Sequence, residues 1–90
     1  MNIAIELAKR NISVTVEEFN SNNGWGFGGA HGKRFHFEHN GVKFTITEAT
    51  ASYRHLPPTK FIAMTKNGKR VIDEFPPAGK KQLVTFFNTL

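Results

Sequence analysis

The dipeptide Asn40-Gly41 constrains this chain more tightly than any other feature, because it sits between two alternating runs, Lys33 to His39 and Val42 to Glu48. A two-residue turn between antiparallel strands takes the type I′ form with positive φ at both central residues, and Asn-Gly adopts it at least cost. Folding about that turn sets Phe37 opposite Phe44, Phe35 opposite Ile46, Glu38 opposite Lys43 and Lys33 opposite Glu48. One face of the hairpin is then apolar and the other charge-paired, and a one-residue slip would destroy all four pairs.

The same logic repeats around Asn67-Gly68, between Lys60 to Lys66 and Lys69 to Phe75. A regular register there opposes Met64 to Val71 and Ala63 to Ile72, with Lys66 facing Lys69 and Thr65 facing Arg70. Like charges facing across a ladder are unfavourable, so this turn reads as a small basic finger with unpaired charges. After Pro76-Pro77, the spacing of Leu83, Phe86, Phe87 and Leu90 predicts an amphipathic helix whose Phe face packs on the sheet. Lys80 and Lys81 fall in its first turn, where the helix dipole favours acids or a bound anion.

The first nineteen residues are less decided. Residues 2–11 are rich in helix formers, with Glu6 and Arg10 at i,i+4 spacing, and predict a short helix. The alternation of Ile3, Ile5 and Leu7 supports a strand instead. Residues 13–19 alternate like a strand, while Thr15 and Glu18 fit a capping box for a second helix. Two helices there would suggest a helix-turn-helix, but no basic residue lies between Asn11 and Lys33 to hold one on phosphates. Residues 20–32 hold five glycines and three asparagines and read as a loop carrying Trp25, Phe27 and His31. Its aromatics either turn inward to plug the sheet, the favoured reading for Trp25, or form an exposed docking surface. Residues 49–59, with Tyr53, Arg54, His55 and Pro57-Pro58, read as a connection in which the prolines stop any strand.

The expected fold is therefore α+β: an antiparallel sheet of two Asn-Gly hairpins, with an N-terminal strand as a candidate addition. A short N-terminal helix and a C-terminal amphipathic helix pack on it. Ninety residues suffice for one domain with a thin stability margin. With no cysteine, disulfides and thiolate metal sites are excluded. Apolar runs are short, so a soluble, cytoplasmic protein without a membrane partner is expected.

Charge is unevenly spread. Through Glu48 the bases Lys9, Arg10, Lys33, Arg34 and Lys43 balance Glu6, Glu17, Glu18, Glu38 and Glu48. Beyond it, seven bases face only Asp73 and Glu74, so the whole net charge of +5 lies in the second half, as expected if one surface meets an anionic partner.

Candidate chemistry is sparse. Gly24 to Gly29 matches G-x-G-x-x-G in form, but no βαβ unit surrounds it, and Gly32-Lys33 lacks the rest of a phosphate loop. His36 and His39 have opposite strand parity, which argues against a metal cluster with His31, and no Ser-His-Asp arrangement is suggested. No cofactor or small-molecule substrate is expected. Asn23-Gly24-Trp25 followed by Gly29-Ala30-His31, strands and a closing helix resembles HicA-type mRNA-cleaving toxins. That resemblance implies a small α-β-β-β-α fold with His31 as the catalytic histidine, although the family's doubled histidine is His31-Gly32 here and the second hairpin is extra.

The basic features favour a non-enzymatic module that contacts nucleic acid, DNA or RNA, or a nucleic-acid-handling complex. Its expected contacts are Lys66, Lys69, Arg70, Lys80 and Lys81, with Arg54 beside them. The alternative is a phage-type protein inhibitor or adaptor directed at CRISPR, restriction or polymerase machinery, docking through Trp25, Phe27 and Tyr53. The histidine ribonuclease is the third reading.

Overall fold

The computed structural model describes residues 2–22, 29–53, 56–74 and 77–90. The chain forms α1 (Ile3–Ala8), β1 (Val14–Asn22), β2 (Gly29–His39), β3 (Val42–Tyr53), β4 (Leu56–Lys66), β5 (Lys69–Glu74) and α2 (Ala78–Asn88). The strands form one antiparallel meander in the order β1-β2-β3-β4-β5, and both helices pack on one face of it, an α+β arrangement.

Both turns have the backbone their sequences require: φ is +53° at Asn40 and +78° at Gly41, and +50° at Asn67 and +85° at Gly68. All four pairs expected of the first hairpin are present. Their distribution over the faces differs from the expectation. Residues 33, 35 and 37 share parity, so Lys33 and Glu48 lie on the same face as Phe35 and Ile46, as a polar continuation of the apolar row.

The second hairpin keeps Lys66 opposite Lys69 and Thr65 opposite Arg70, but then slips by one residue, placing Ile72 opposite Met64 and Asp73 opposite Ala63. Val71 is the extra residue of a β-bulge. A regular register would turn Val71 toward the helices and Ile72 away; with the bulge, Ile72 is buried at 5% exposure and Val71 is left out at 49%.

Two segments read as connections are strands. β1 runs to Asn22 and β2 starts at Gly29, so residues 20–22 and 29–32 of the expected loop are strand, and residues 23–28 lie outside the described residues. Glycine and asparagine weaken a strand, yet here β2 lies between two ladders whose hydrogen bonds hold it. β3 and β4 continue through most of residues 49–59. Pro57 and Pro58 are tolerated because β5 pairs only with Ile62–Lys66, leaving their part of β4 an edge, and the β3–β4 register breaks beside them. In the N-terminal region the helix reading prevails for residues 3–8, where Asn2 Oδ1 accepts from the Ile5 N–H, and the strand reading prevails for residues 14–19.

The core lies between the sheet and the two helices. Phe35, Phe37, Phe44, Ile46, Ile62, Met64 and Ile72 face Ile3, Leu7, Leu83 and Phe87, the last two on the predicted face of α2. Phe37 stacks on Phe44 at 5.1 Å, and Phe86 packs on Phe44 at 5.1 Å. Arg10 clamps the helices together: its Nη1 donates to the Glu6 carbonyl and carboxylate, its Nε donates to the Phe87 carbonyl at 3.0 Å, and its guanidinium lies 5.5 Å from the Phe87 ring centre. A cation there also suits the negative end of α2. Arg10, with Lys9 beside it, holds the Glu6 carboxyl below its ordinary range.

The strands of eleven and twelve residues reach ~40 Å at about 3.4 Å per residue, against ~16 Å for α2. The molecule is accordingly elongated, 42 × 23 × 23 Å. Neither helix is long and apolar enough to cross a membrane.

Candidate nucleic-acid interface

Both Asn-Gly turns leave the sheet at the same end, and they are tied together there. Asn67 donates its N–H to the Lys43 carbonyl at 2.8 Å, while Asn67 Oδ1 accepts from the Lys43 N–H at 3.0 Å. Asparagine thus does two things: it takes the positive φ of the turn and fastens the turn to β3. Lys43, Lys66 and Lys69 are brought to one end of the sheet on a braced backbone, all three exposed, with Lys66 and Lys69 on the helix-bearing face and Lys43, opposite Glu38, on the other. Lys66 and Lys69 face each other across the ladder. Among the described residues the ion pairs are Glu6 with Lys9 and Arg10, Glu17 with Arg34 and His36, and Arg70 with Asp73. None engages these three lysines.

Arg70 differs from the expectation of a turn with unpaired charges: its Nη1 lies 2.9 Å from Asp73 Oδ2. Residues i and i+3 of a regular strand point to opposite faces, but the bulge at Val71 puts Arg70, opposite Thr65, and Asp73, opposite Ala63, on the same one. The first hairpin also departs from its expected pairing. Glu38 and Lys43 are opposite each other, as are Lys33 and Glu48, without forming ion pairs; its charges pair with β1 instead. Glu17 Oε1 lies 3.4 Å from Arg34 Nη1 and 3.3 Å from His36 Nε2, and Arg34 covers the Phe19 ring at 4.0 Å. An ionised carboxylate only accepts, so His36 Nε2 carries a proton there, and His36 Nδ1 lies 3.0 Å from the Thr45 hydroxyl. The His36 and Arg34 contacts hold the Glu17 carboxyl below its ordinary range.

Lys80 and Lys81 are exposed in the first turn of α2, with no acid in that turn and no side-chain cap. They are not brought to the turn end. Phe86 packs on Phe37 and Phe44 beside the first turn, so α2 runs toward the turns and its lysines start ~9 Å back along its axis. Lys60, opposite Thr50, lies away from the turns as well. Arg54, Trp25 and Phe27 lie outside the described residues. Tyr53 closes β3, where its backbone pairs with Leu56.

His31 lies on the helix-bearing face of β2, opposite Asn20 and Thr50 and beyond the reach of the helices. It is exposed and lines an open depression of about 430 Å³ with Glu18, Phe19, Asn20, Gly32 and Lys33. Gly32 belongs to that place for a steric reason: a Cβ on it would overlap the Glu48 carbonyl oxygen and come 2.6 Å from Ala49 Cα on β3.

Comparison with protein-family models, curated proteins and solved structures finds no match to this chain.

Lys43 was missed at the sequence level because the hairpin ladder assigned it to Glu38. The signal that finds it is Asn67, whose side chain joins the two turns.

Proposed function

We propose that this protein is a non-enzymatic binding module that grips the phosphate backbone of a nucleic acid with the turn end of its sheet. Lys43, Lys66 and Lys69 are the principal contacts, and Arg70 a secondary one already shared with Asp73. The observation that carries this reading is the facing of Lys66 and Lys69 across the ladder, both exposed and without an acid among the described residues. Such a pair costs a few tenths to about 1 kcal/mol, which an anion bound between them offsets. Contacts of this kind fix a backbone without reading bases, so little sequence preference is expected.

The test is fluorescence anisotropy with a labelled single-stranded RNA and a labelled DNA duplex over graded salt. Three lysine–phosphate contacts give a slope of log K against log [salt] of about −2.7 on duplex DNA, or roughly 40-fold weaker binding from 50 to 200 mM. Lys66→Glu and Lys69→Glu each weaken binding to both probes and flatten the slope by about one unit. Lys80→Glu has the smaller effect. Salt-independent binding, or none to either probe, refutes the reading.

A further inference from the structure

We propose that the free edge of β1 is a docking site for an extended basic strand of a partner protein, added to the sheet antiparallel to β1. Every open antiparallel sheet ends in strands with unpaired peptide groups, and natural proteins blunt such edges with charged side chains, lysine above all, or with prolines, bulges or brevity. Two of the three free edges of this sheet carry those devices. β5 has six residues, a bulge at Val71 and the bases Lys69 and Arg70. The part of β4 beyond β5 carries Pro57, Pro58 and Lys60 and a broken register. β1 carries only two glutamates: Val14–Asn22 holds no proline, glycine, lysine or arginine, and its register with β2 is unbroken from Val14 opposite Phe37 to Asn22 opposite Gly29, so its edge repels acidic strands and stays open to basic ones. Thr15, Val16, Glu17 and Glu18 are exposed along it, Val16 at 46%.

Charge decides the occupant. Glu18 faces Lys33 without forming an ion pair, and both contacts to Glu17 go to Oε1, leaving Oε2 without a partner among the described residues. The Glu18 carboxylate and the second oxygen of Glu17 therefore remain on an otherwise uncharged strand. The paired side of β1 shows what fits it: β2 sets Phe37 and Phe35 opposite Val14 and Val16, and Arg34 and Lys33 opposite Glu17 and Glu18. Cross-strand neighbours share a face and lie within side-chain reach. An incoming strand with two basic residues opposite Glu17 and Glu18 and apolar residues opposite Val14 and Val16 satisfies the free side in the same way. Main-chain bonds supply affinity and the alternating side chains specificity, as in strand addition generally. A second copy of this chain is disfavoured, because joining two β1 edges about a two-fold axis brings two Glu17-Glu18 pairs onto one ladder in a protein of net charge +5.

The β1 edge is four strand spacings, ~19 Å, from β5, and the proposal is independent of the nucleic-acid reading. The probe is the acetylated, amidated peptide Thr-Tyr-Lys-Arg-Val-Thr-Val, written to lie opposite Asn20 through Val14. Binding is measured by calorimetry, and the site by amide shifts and hydrogen exchange in labelled protein. Expected are saturable binding with new protection confined to β1, at least tenfold weaker binding by Glu18→Lys, and loss of binding when the alternate peptide amides that face β1 are N-methylated, which removes the donors to its carbonyls. Lys66→Glu leaves peptide binding unchanged, so failure of the nucleic-acid reading is separable. Equal affinity for a scrambled peptide, shifts centred away from β1, or a concentration-dependent dimer that protects β1 without peptide overturns the proposal.

Discussion

Gly32→Ala separates two reasons for a glycine that give effects of opposite sign. Gly32 lies in a regular part of β2 and, unlike Gly41 and Gly68, outside the positive-φ region. On backbone conformation alone, alanine would be accommodated, and the reduced freedom of the unfolded chain would stabilise the fold by about 0.4–1 kcal/mol. The packing gives the other sign. The added Cβ would overlap the Glu48 carbonyl oxygen and lie 2.6 Å from Ala49 Cα and 3.0 Å from Ala49 Cβ. These are atoms of the neighbouring backbone and a short side chain, so relief requires β2 and β3 to part in the middle of the sheet. Overpacking of this kind costs about 1–3 kcal/mol, with a backbone obstacle at the upper end. The expected result is a net loss of ~2 kcal/mol, or roughly 8–16 °C in Tm for a domain of this size. Gly41→Ala is the control: nothing lies within 4 Å of its Cβ, and its φ of +78° carries only the left-handed strain, about 1 kcal/mol. Thermal and urea unfolding followed by circular dichroism compare the two. A Gly32→Ala protein as stable as the parent, or more so, would falsify the steric account.

The remaining predictions concern a carboxylate, a histidine and the bulge. Because the His36 and Arg34 contacts depress the Glu17 pKa in the folded state, their stabilisation is present above the unfolded pKa and is lost as pH falls through the folded one. Glu17→Gln should therefore flatten the acid limb of the stability profile below about pH 4.5, and an unchanged limb in urea titrations would count against it. Purified protein is expected to leave RNA intact whether residue 31 is His or Ala; cleavage abolished by His31→Ala would replace the binding reading with the ribonuclease one. Deleting Val71 should cost less than about 1 kcal/mol, because it removes a half-exposed residue while keeping Ile72 opposite Met64 and Asp73 opposite Ala63. Loss of folding in that variant would show that the bulge itself is required.

Much of the fold was legible because two Asn-Gly pairs fix turn geometry locally, and the periodicity of Leu83, Phe86, Phe87 and Leu90 fixes a helix face. What was not legible depends on neighbours. The glycines and asparagines of residues 20–32 describe a poor strand in isolation, and only their place beside Ala49 and Thr50 of β3 explains why residues 29–32 pair at all. Pro57 and Pro58 argue against a strand unless β5 is known to be too short to reach them. The Lys33–Glu48 pair was assigned to the wrong face although its parity was readable, because a charged pair was expected to face away from the helices. Those helices do not extend that far along the sheet.

The bulge at Val71 governs both the core and the charge pattern of the second hairpin, and this is why sequence alone misjudged each. Val71 and Ile72 are adjacent and apolar, so hydrophobic pattern cannot choose which one enters; the ladder beside Met64 does, and it takes Ile72. That single extra residue also reverses the parity between Arg70 and Asp73, converting a pair that should point apart into a contact of 2.9 Å. One base of the finger is thereby paired, while Lys66 and Lys69, on the turn side of the bulge, keep the facing arrangement that the regular register imposes. The turn's residual charge is therefore set by where the bulge falls. Lysines left facing each other beside a neutralised arginine concentrate the positive charge in a smaller patch than three free cations would.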